Sequence, residues 1–135
     1  MRVYVDSSAL IKRVVAERES TALVEALDAH HRAGALLLSS SLAWIEVSRA
    51  LRTRYHHRLA RVAADVDAAL SGVAEHPMAP EVVSLARRVN PDALRSLDAV
   101  HLASALLVDA DVVITYDVRL AEACDENGLA VAAPA

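Results

Sequence analysis

Residues 2–16, RVYVDSSALIKRVVA, decide the fold. A short β-type run, Arg2–Val5, ends at Asp6, and from residue 8 to 16 the apolar side chains recur at helical spacing. A strand that gives way to a helix at an aspartate opens a β–α unit, and the rest of the chain repeats the alternation. Apolar runs at 36–39 (LLLS), 112–115 (VVIT) and 130–132 (AVA) read as further buried strands. Helical periodicity fills 21–32, 41–55, 59–73, 82–89, 96–108 and 118–126. Gly34, Gly72 with Pro77, Asn90-Pro91 and Asn127-Gly128 punctuate these segments. The strands lack the two-residue alternation of a sheet with one wet face, so a parallel sheet covered on both sides is predicted, and the fold class is α/β.

Composition narrows the class further. A chain of 135 residues suits a single domain, 1–135, because two ordinary domains with separate cores would need more. With 55% hydrophobic and 24% charged residues, three Gly and four Pro, disorder and low-complexity classes are excluded. No apolar run approaches the roughly 18 residues of a membrane span, so no membrane partner is expected. Asp6 interrupts the only candidate leader run, and the expected location is the cytoplasm. The lone Cys124 excludes an intrachain disulfide and a zinc knuckle.

The formal charge of -4 hides an uneven distribution. Between residues 47 and 64 there is no acid, yet Arg49, Arg52, Arg54, Arg58 and Arg61 occur there with Tyr55, His56 and His57. Of the 14 cationic residues 13 are Arg, whose planar fork suits phosphate or carboxylate. This basic stretch fits an anionic partner, and it fits equally a solvated helical hairpin whose Arg stems cover apolar surface.

Four acids stand out. Asp6 follows the first strand and Asp117 lies two residues beyond VVIT, so both should emerge at one edge of a parallel sheet, where α/β ligand sites lie. Glu46 falls between Leu42 and Ala50 on an otherwise apolar helical arc, a position seldom tolerated without a partner. Asp98 shares a helix face with Leu102, Ala105 and Leu106. Singly, Asp6 and Asp117 also suit helix N-caps, and Asp98 suits the positive end of a helix dipole. Together, two unit charges about 4 Å apart repel by about 4 kcal/mol at an effective dielectric of 20, so four need protonation or a cation. Hard oxygen ligands select Mg²⁺, with Mn²⁺ able to substitute, rather than zinc. A cation so held can orient a phosphodiester and activate a water, the chemistry of metal-dependent nucleases. Ser7 and Thr115, each beside an acidic position, and Arg95, three residues before Asp98, are candidate supporting residues for water or phosphate.

The ordered segments VYVDSSALIK (3–12), WIEVSRAL (44–51), LRSLDAVHLASAL (94–106) and VITYDVRLAEACDENGL (113–129) resemble PIN-domain ribonucleases, specifically VapC-type toxins of type II toxin–antitoxin systems. The resemblance implies a three-layer α/β/α sandwich around a parallel sheet of four to five strands. It implies a Mg²⁺- or Mn²⁺-dependent endoribonuclease that hydrolyses RNA with metal-activated water, leaving a 5′-phosphate and a 3′-hydroxyl. By position, Asp6 and Asp98 match the most direct metal ligands, Glu46 and Asp117 complete the site, and Thr115 matches the family's hydroxyl residue. The expected partners are RNA, a VapB-type antitoxin lying across the groove, and a second copy in a homodimer. The basic stretch then has two possible tasks, RNA backbone or antitoxin.

Other chemistries find less support. The six histidines lack metal-ligand spacing, and Ser7-Ser8 lacks a strained nucleophile elbow. No G-x-x-x-x-G-K-[ST] loop is present. An aspartyl nucleophile at Asp6 is disfavoured because D-S-S supplies no second acid. His101 reads either as a general base or as a packed imidazole whose hydrogen bonds are satisfied. The alternative to an enzyme is a non-catalytic PIN-like module that binds an antitoxin or another protein.

Overall fold

In the computed structural model, which describes residues 1–56 and 58–135, β1 (Arg2–Val5) is the central strand of a five-stranded parallel sheet. His57 of the basic stretch lies outside the described residues. Beside β1 run β2 (Leu36–Ser40) and, on its other flank, β4 (Val112–Ile114). The edges are β3 (Val73–His76) next to β2 and β5 (Val131–Ala132) next to β4. The order β3-β2-β1-β4-β5 means that the chain builds outward from β1 on one side and then returns to build on the other. Its switch point lies between β1 and β4.

Side chains along β1 alternate between two cores, as the pleat requires. Val3 and Val5, with Leu37 and Ile114, pack against Leu10 of α1 (Ser7–Lys12), Leu23 and Leu27 of α2 (Ser20–Arg32), Val47 and Leu51 of α3 (Ser41–Arg54) and Leu70 of α4 (Leu59–Leu70). Tyr4, Leu38 and Val113 face the opposite way. They meet Leu102 and Ala105 of α6 (Ser96–Leu107) and Leu120 and Ala123 of α7 (Val118–Glu126), while α5 (Pro80–Ala86) packs on α6 and buries Val82. The result is the expected three-layer α/β/α sandwich. No helix among the described residues is long and apolar enough to cross a membrane.

Three elements differ from the sequence expectation by more than one residue at a boundary. The helix predicted over 59–73 ends at Leu70; Gly72 takes a φ of 74°, and Val73–His76 then pairs with β2 from Leu37 to Ser40. The sequence VAEH is only half-buried, as befits an edge strand, so no apolar run announces it. The helix predicted over 8–16 closes at Lys12, and Arg13 instead donates to the carbonyls of Ala69 and Ser71, both at 2.8 Å, tying the end of α1 to that of α4. The helix predicted over 82–89 spans Pro80–Ala86, starting at a proline whose missing N–H is no loss in a first turn.

Gly72 isolates one backbone effect, because a Cβ there would meet nothing within 4 Å. Gly72→Ala should therefore cost about 1–2 kcal/mol from the left-handed backbone alone, read as a lower urea midpoint at unchanged m-value. An unshifted midpoint would contradict the turn described here.

Candidate active site

Asp6 caps α1 from the end of β1, and both of its oxygens are engaged. Oδ1 accepts from the Ala9 N–H at 3.1 Å and the Ser8 hydroxyl at 2.7 Å, and Oδ2 accepts from the Thr115 hydroxyl at 2.7 Å. The carboxyl is 3% exposed, and burial raises its pKa against the opposing effect of these bonds. The two hydroxyls also lock the neighbouring loop: Ser8 Oγ accepts from the Tyr116 N–H at 3.0 Å and Thr115 Oγ1 from the Asp117 N–H at 3.0 Å. Thr115 thus touches Asp6 through its side chain and positions Asp117 through the backbone. Ser8, considered in the sequence only as half of a nucleophile pair, is a second support of Asp6; a hydroxyl two residues beyond a capping aspartate was the available signal.

Glu46 projects from α3 into a polar recess between α1 and α6. Its Oε1 accepts from the Ser7 hydroxyl at 2.9 Å and lies 2.6 Å from His101 Nε2. Burial pushes its pKa up, but the hydrogen bonds from His101 and Ser7 outweigh this and hold it below the ordinary value. His101 is 3% exposed, and its Nδ1 lies 2.7 Å from the Tyr4 hydroxyl. Both ring nitrogens are therefore occupied, which is the satisfied imidazole of the two sequence readings. Tyr4 escaped the sequence reading altogether; a polar-tipped aromatic in a buried strand was its only mark.

Asp117 caps α7, its Oδ1 accepting from the N–H groups of Arg119 at 2.9 Å and Leu120 at 3.2 Å. Asp98, in the first turn of α6, has no hydrogen-bond or ion-pair partner among the described residues. Its pKa is raised, first by burial and then by the negative charge of Asp117, with Asp6 and Glu46 adding to the effect and His101 opposing it. Four acids distant in sequence thus share one electrostatic neighbourhood, as the sequence anticipated, and none is paired with arginine. Arg95 is exposed at the N-cap of α6, and its side chain makes no hydrogen bond or ion pair among the described residues.

Does this cluster suit a divalent cation? Among the described residues, no three His, Cys, Asp or Glu side chains are drawn together tightly enough to hold a metal ion as they stand. The donors are carboxylate oxygens, with Asp98 wholly uncommitted and Glu46 Oε2 and Asp117 Oδ2 also making no hydrogen bond. That set fits Mg²⁺, which keeps several waters and needs only one or two direct carboxylates.

Comparison with known proteins shows the family and the fold. The PIN domain family model matches residues 3–126. Ribonuclease VapC46 of Mycobacterium tuberculosis (strain ATCC 25618 / H37Rv) is 40% identical over 134 residues, covering 98% of this chain and 97% of that protein. Ribonuclease VapC47 of Mycobacterium tuberculosis (strain CDC 1551 / Oshkosh) is 35% identical, with 98% and 96% covered. Among solved structures, VapBC2 from Rickettsia felis bound to a DNA fragment from their promoter superposes with a TM-score of 0.78 at 9% identity, covering 98% of each chain. Mycobacterium tuberculosis VapC20, a Sarcin-Ricin loop cleaving toxin, gives 0.72 at 15% identity, covering 90% of this chain and 94% of that one. The two structural likenesses are likenesses of fold, and the sequence matches carry the family. The chain belongs to the PIN-domain family, among its VapC-type members.

The raised pKa of Asp98 has a stability consequence whose sign is fixed. A carboxyl whose folded pKa lies above its unfolded value destabilises the fold when ionised; the penalty is absent below the unfolded value and complete above the folded one. In EDTA at neutral pH, Asp98→Asn should melt a few degrees above the unsubstituted protein, and the gap should narrow as pH falls toward 3.8. A variant that melts lower at every pH would contradict the electrostatic reading.

Proposed function

We propose that this chain is the ribonuclease toxin of a type II toxin–antitoxin pair, an endonuclease that cuts RNA with Mg²⁺, or Mn²⁺ in its place, at Asp6, Glu46, Asp98 and Asp117. One observation carries the reading: the ends of β1 and β4 and the inner faces of α3 and α6 bring four carboxylates together with no arginine to neutralise them. The relatives named ribonucleases support it. When bound, the cation orients the scissile phosphate, activates a water and offsets charge on the leaving oxygen. Asp6 and Asp98 serve as direct ligands, and Glu46 and Asp117 complete the site. Ser8 and Thr115 fix the Asp6 carboxylate, and Ser7 and His101 fix that of Glu46. Arg95, exposed three residues before Asp98, is free to meet a phosphate. A VapB-type antitoxin would cover the same groove, and a homodimer is the proposed assembly.

The basic stretch fits the RNA backbone. At the tip of the α3–α4 hairpin, Arg54, Tyr55, His56, Arg58 and Arg61 line a shallow hollow. The Arg61 guanidinium stacks 4.1 Å from the centre of the Tyr55 ring and reaches its hydroxyl at 3.3 Å, as Arg54 also does. Arg61 is partly neutralised by Asp65 at 3.5 Å. Glu46 and Arg54 lie about 12 Å apart along the axis of α3, so a strand laid across the acids can extend to the tip.

Antitoxin-free protein should cleave a structured RNA pool in Mg²⁺ and not in EDTA, and Asp6→Asn and Asp98→Asn should each lose on the order of 100-fold in rate or more. Cleavage that persists in EDTA and in both variants would overturn the mechanism; no cleavage of any RNA would favour a non-catalytic binding module. In the Asp98→Asn background, adding Arg54→Gln or Arg58→Gln should flatten the dependence of log K for RNA on log salt by about 0.7 per lost phosphate contact. An unchanged slope would remove the hairpin tip from the RNA path.

A further inference from the structure

We propose that Tyr4 and His101 are positioning residues for Glu46, forming a buried hydrogen-bond relay whose direction is set by the backbone N–H of Ser40. The inference deepens the nuclease reading and rests on it for its functional consequence. The relay is read step by step from groups whose donor capacity is fixed. The Ser40 N–H can only donate, and it does so to the Tyr4 hydroxyl oxygen at 3.2 Å. The Tyr4 hydroxyl has one proton, and the nitrogen 2.7 Å away, His101 Nδ1, is placed to receive it. A neutral imidazole that accepts at Nδ1 carries its proton on Nε2. That proton then points at Glu46 Oε1, 2.6 Å away, which also accepts from Ser7.

Of the two neutral tautomers, only this one satisfies every member in its observed position. With the proton moved to Nδ1, the ring and the Tyr4 hydroxyl would both present donors across 2.7 Å, and a bare Nε2 would face a carboxylate oxygen across 2.6 Å. Tyr4 is fully buried and His101 nearly so. The pair lies between sheet and helix, its rings edge to face, 5.9 Å apart at 73°. Glu46 consequently receives two donors on Oε1, leaving Oε2 uncommitted among the described residues. The relay also removes His101 as a general base, since neither nitrogen is open to a water.

The test uses the metal-free, full-length protein labelled with ¹⁵N-histidine. The His101 resonances should show Nε2 protonated and Nδ1 unprotonated at neutral pH, and Tyr4→Phe should give a mixture of tautomers. In cleavage assays, Tyr4→Phe and His101→Leu should raise the Mg²⁺ concentration for half-maximal rate, or lower the rate, by about 10–100-fold. His101→Gln, which keeps a donor for Glu46, should lose less than His101→Leu. Protonated Nδ1 in the unsubstituted protein, or an unchanged Mg²⁺ response in both Tyr4→Phe and His101→Leu, would overturn the proposal. If Tyr4→Phe fails to fold, the unsubstituted spectrum and the His101 pair decide. Should the unsubstituted protein cleave no RNA, the nuclease reading fails, and the spectrum still judges the relay.

Discussion

Asp6 sits at the end of the central strand with almost no contact with water, and the rest of the site is built around keeping it there. Burial opposes its ionisation, and three donors, two from the first turn of α1 and one from the residue after β4, work against that penalty. The donors are hydroxyls and one helix-start N–H rather than arginine or lysine. A full positive charge would neutralise the cluster and close it to anything else, whereas neutral donors orient the carboxyl and leave the collective charge in place. Asp98 shows the other side of the same constraint: it lacks any donor, and its neighbours push its pKa upward.

The sheet order explains why these acids meet. Because the chain leaves β1 in one direction and returns on the other, the loops after β1 and β4 diverge at the switch point, opening the crevice in which α/β folds place ligands. Ser8 and Thr115 span that crevice between the two loops. From the two helical layers come Glu46 and Asp98, one on each side. No single layer of the sandwich owns the site, so its geometry depends on the fold as a whole. The Tyr4–His101 link crosses from the strand that carries Asp6 to the helix that carries Asp98 and ends on Glu46.

Much of this was legible in the sequence, for reasons that differ residue by residue. The parallel sheet was readable because buried strands are continuous apolar runs, and Glu46 because an acid on an apolar arc demands a partner. Both edge-of-strand aspartates proved to be helix caps as well as members of the cluster, so the capping and functional readings were never exclusive. Edge strand β3 was hidden because its side chains are only partly buried and Gly72 resembled a simple helix stop. Tyr4, Ser8 and the pairing of Ser7 with Glu46 rest on contacts between segments far apart in the chain or on loop geometry, which local pattern does not encode.

The account's central claim is that the converging carboxylates exist to hold a divalent cation. Titrating the metal-free protein with Mn²⁺ while following the free-ion electron paramagnetic resonance signal tests this without reference to any substrate. The account predicts saturable loss of the signal in the unsubstituted protein, competition by Mg²⁺, and no binding once Asp6 and Asp98 are both replaced by Asn. Free Mn²⁺ that rises in step with every addition, or binding untouched by the double replacement, would contradict it.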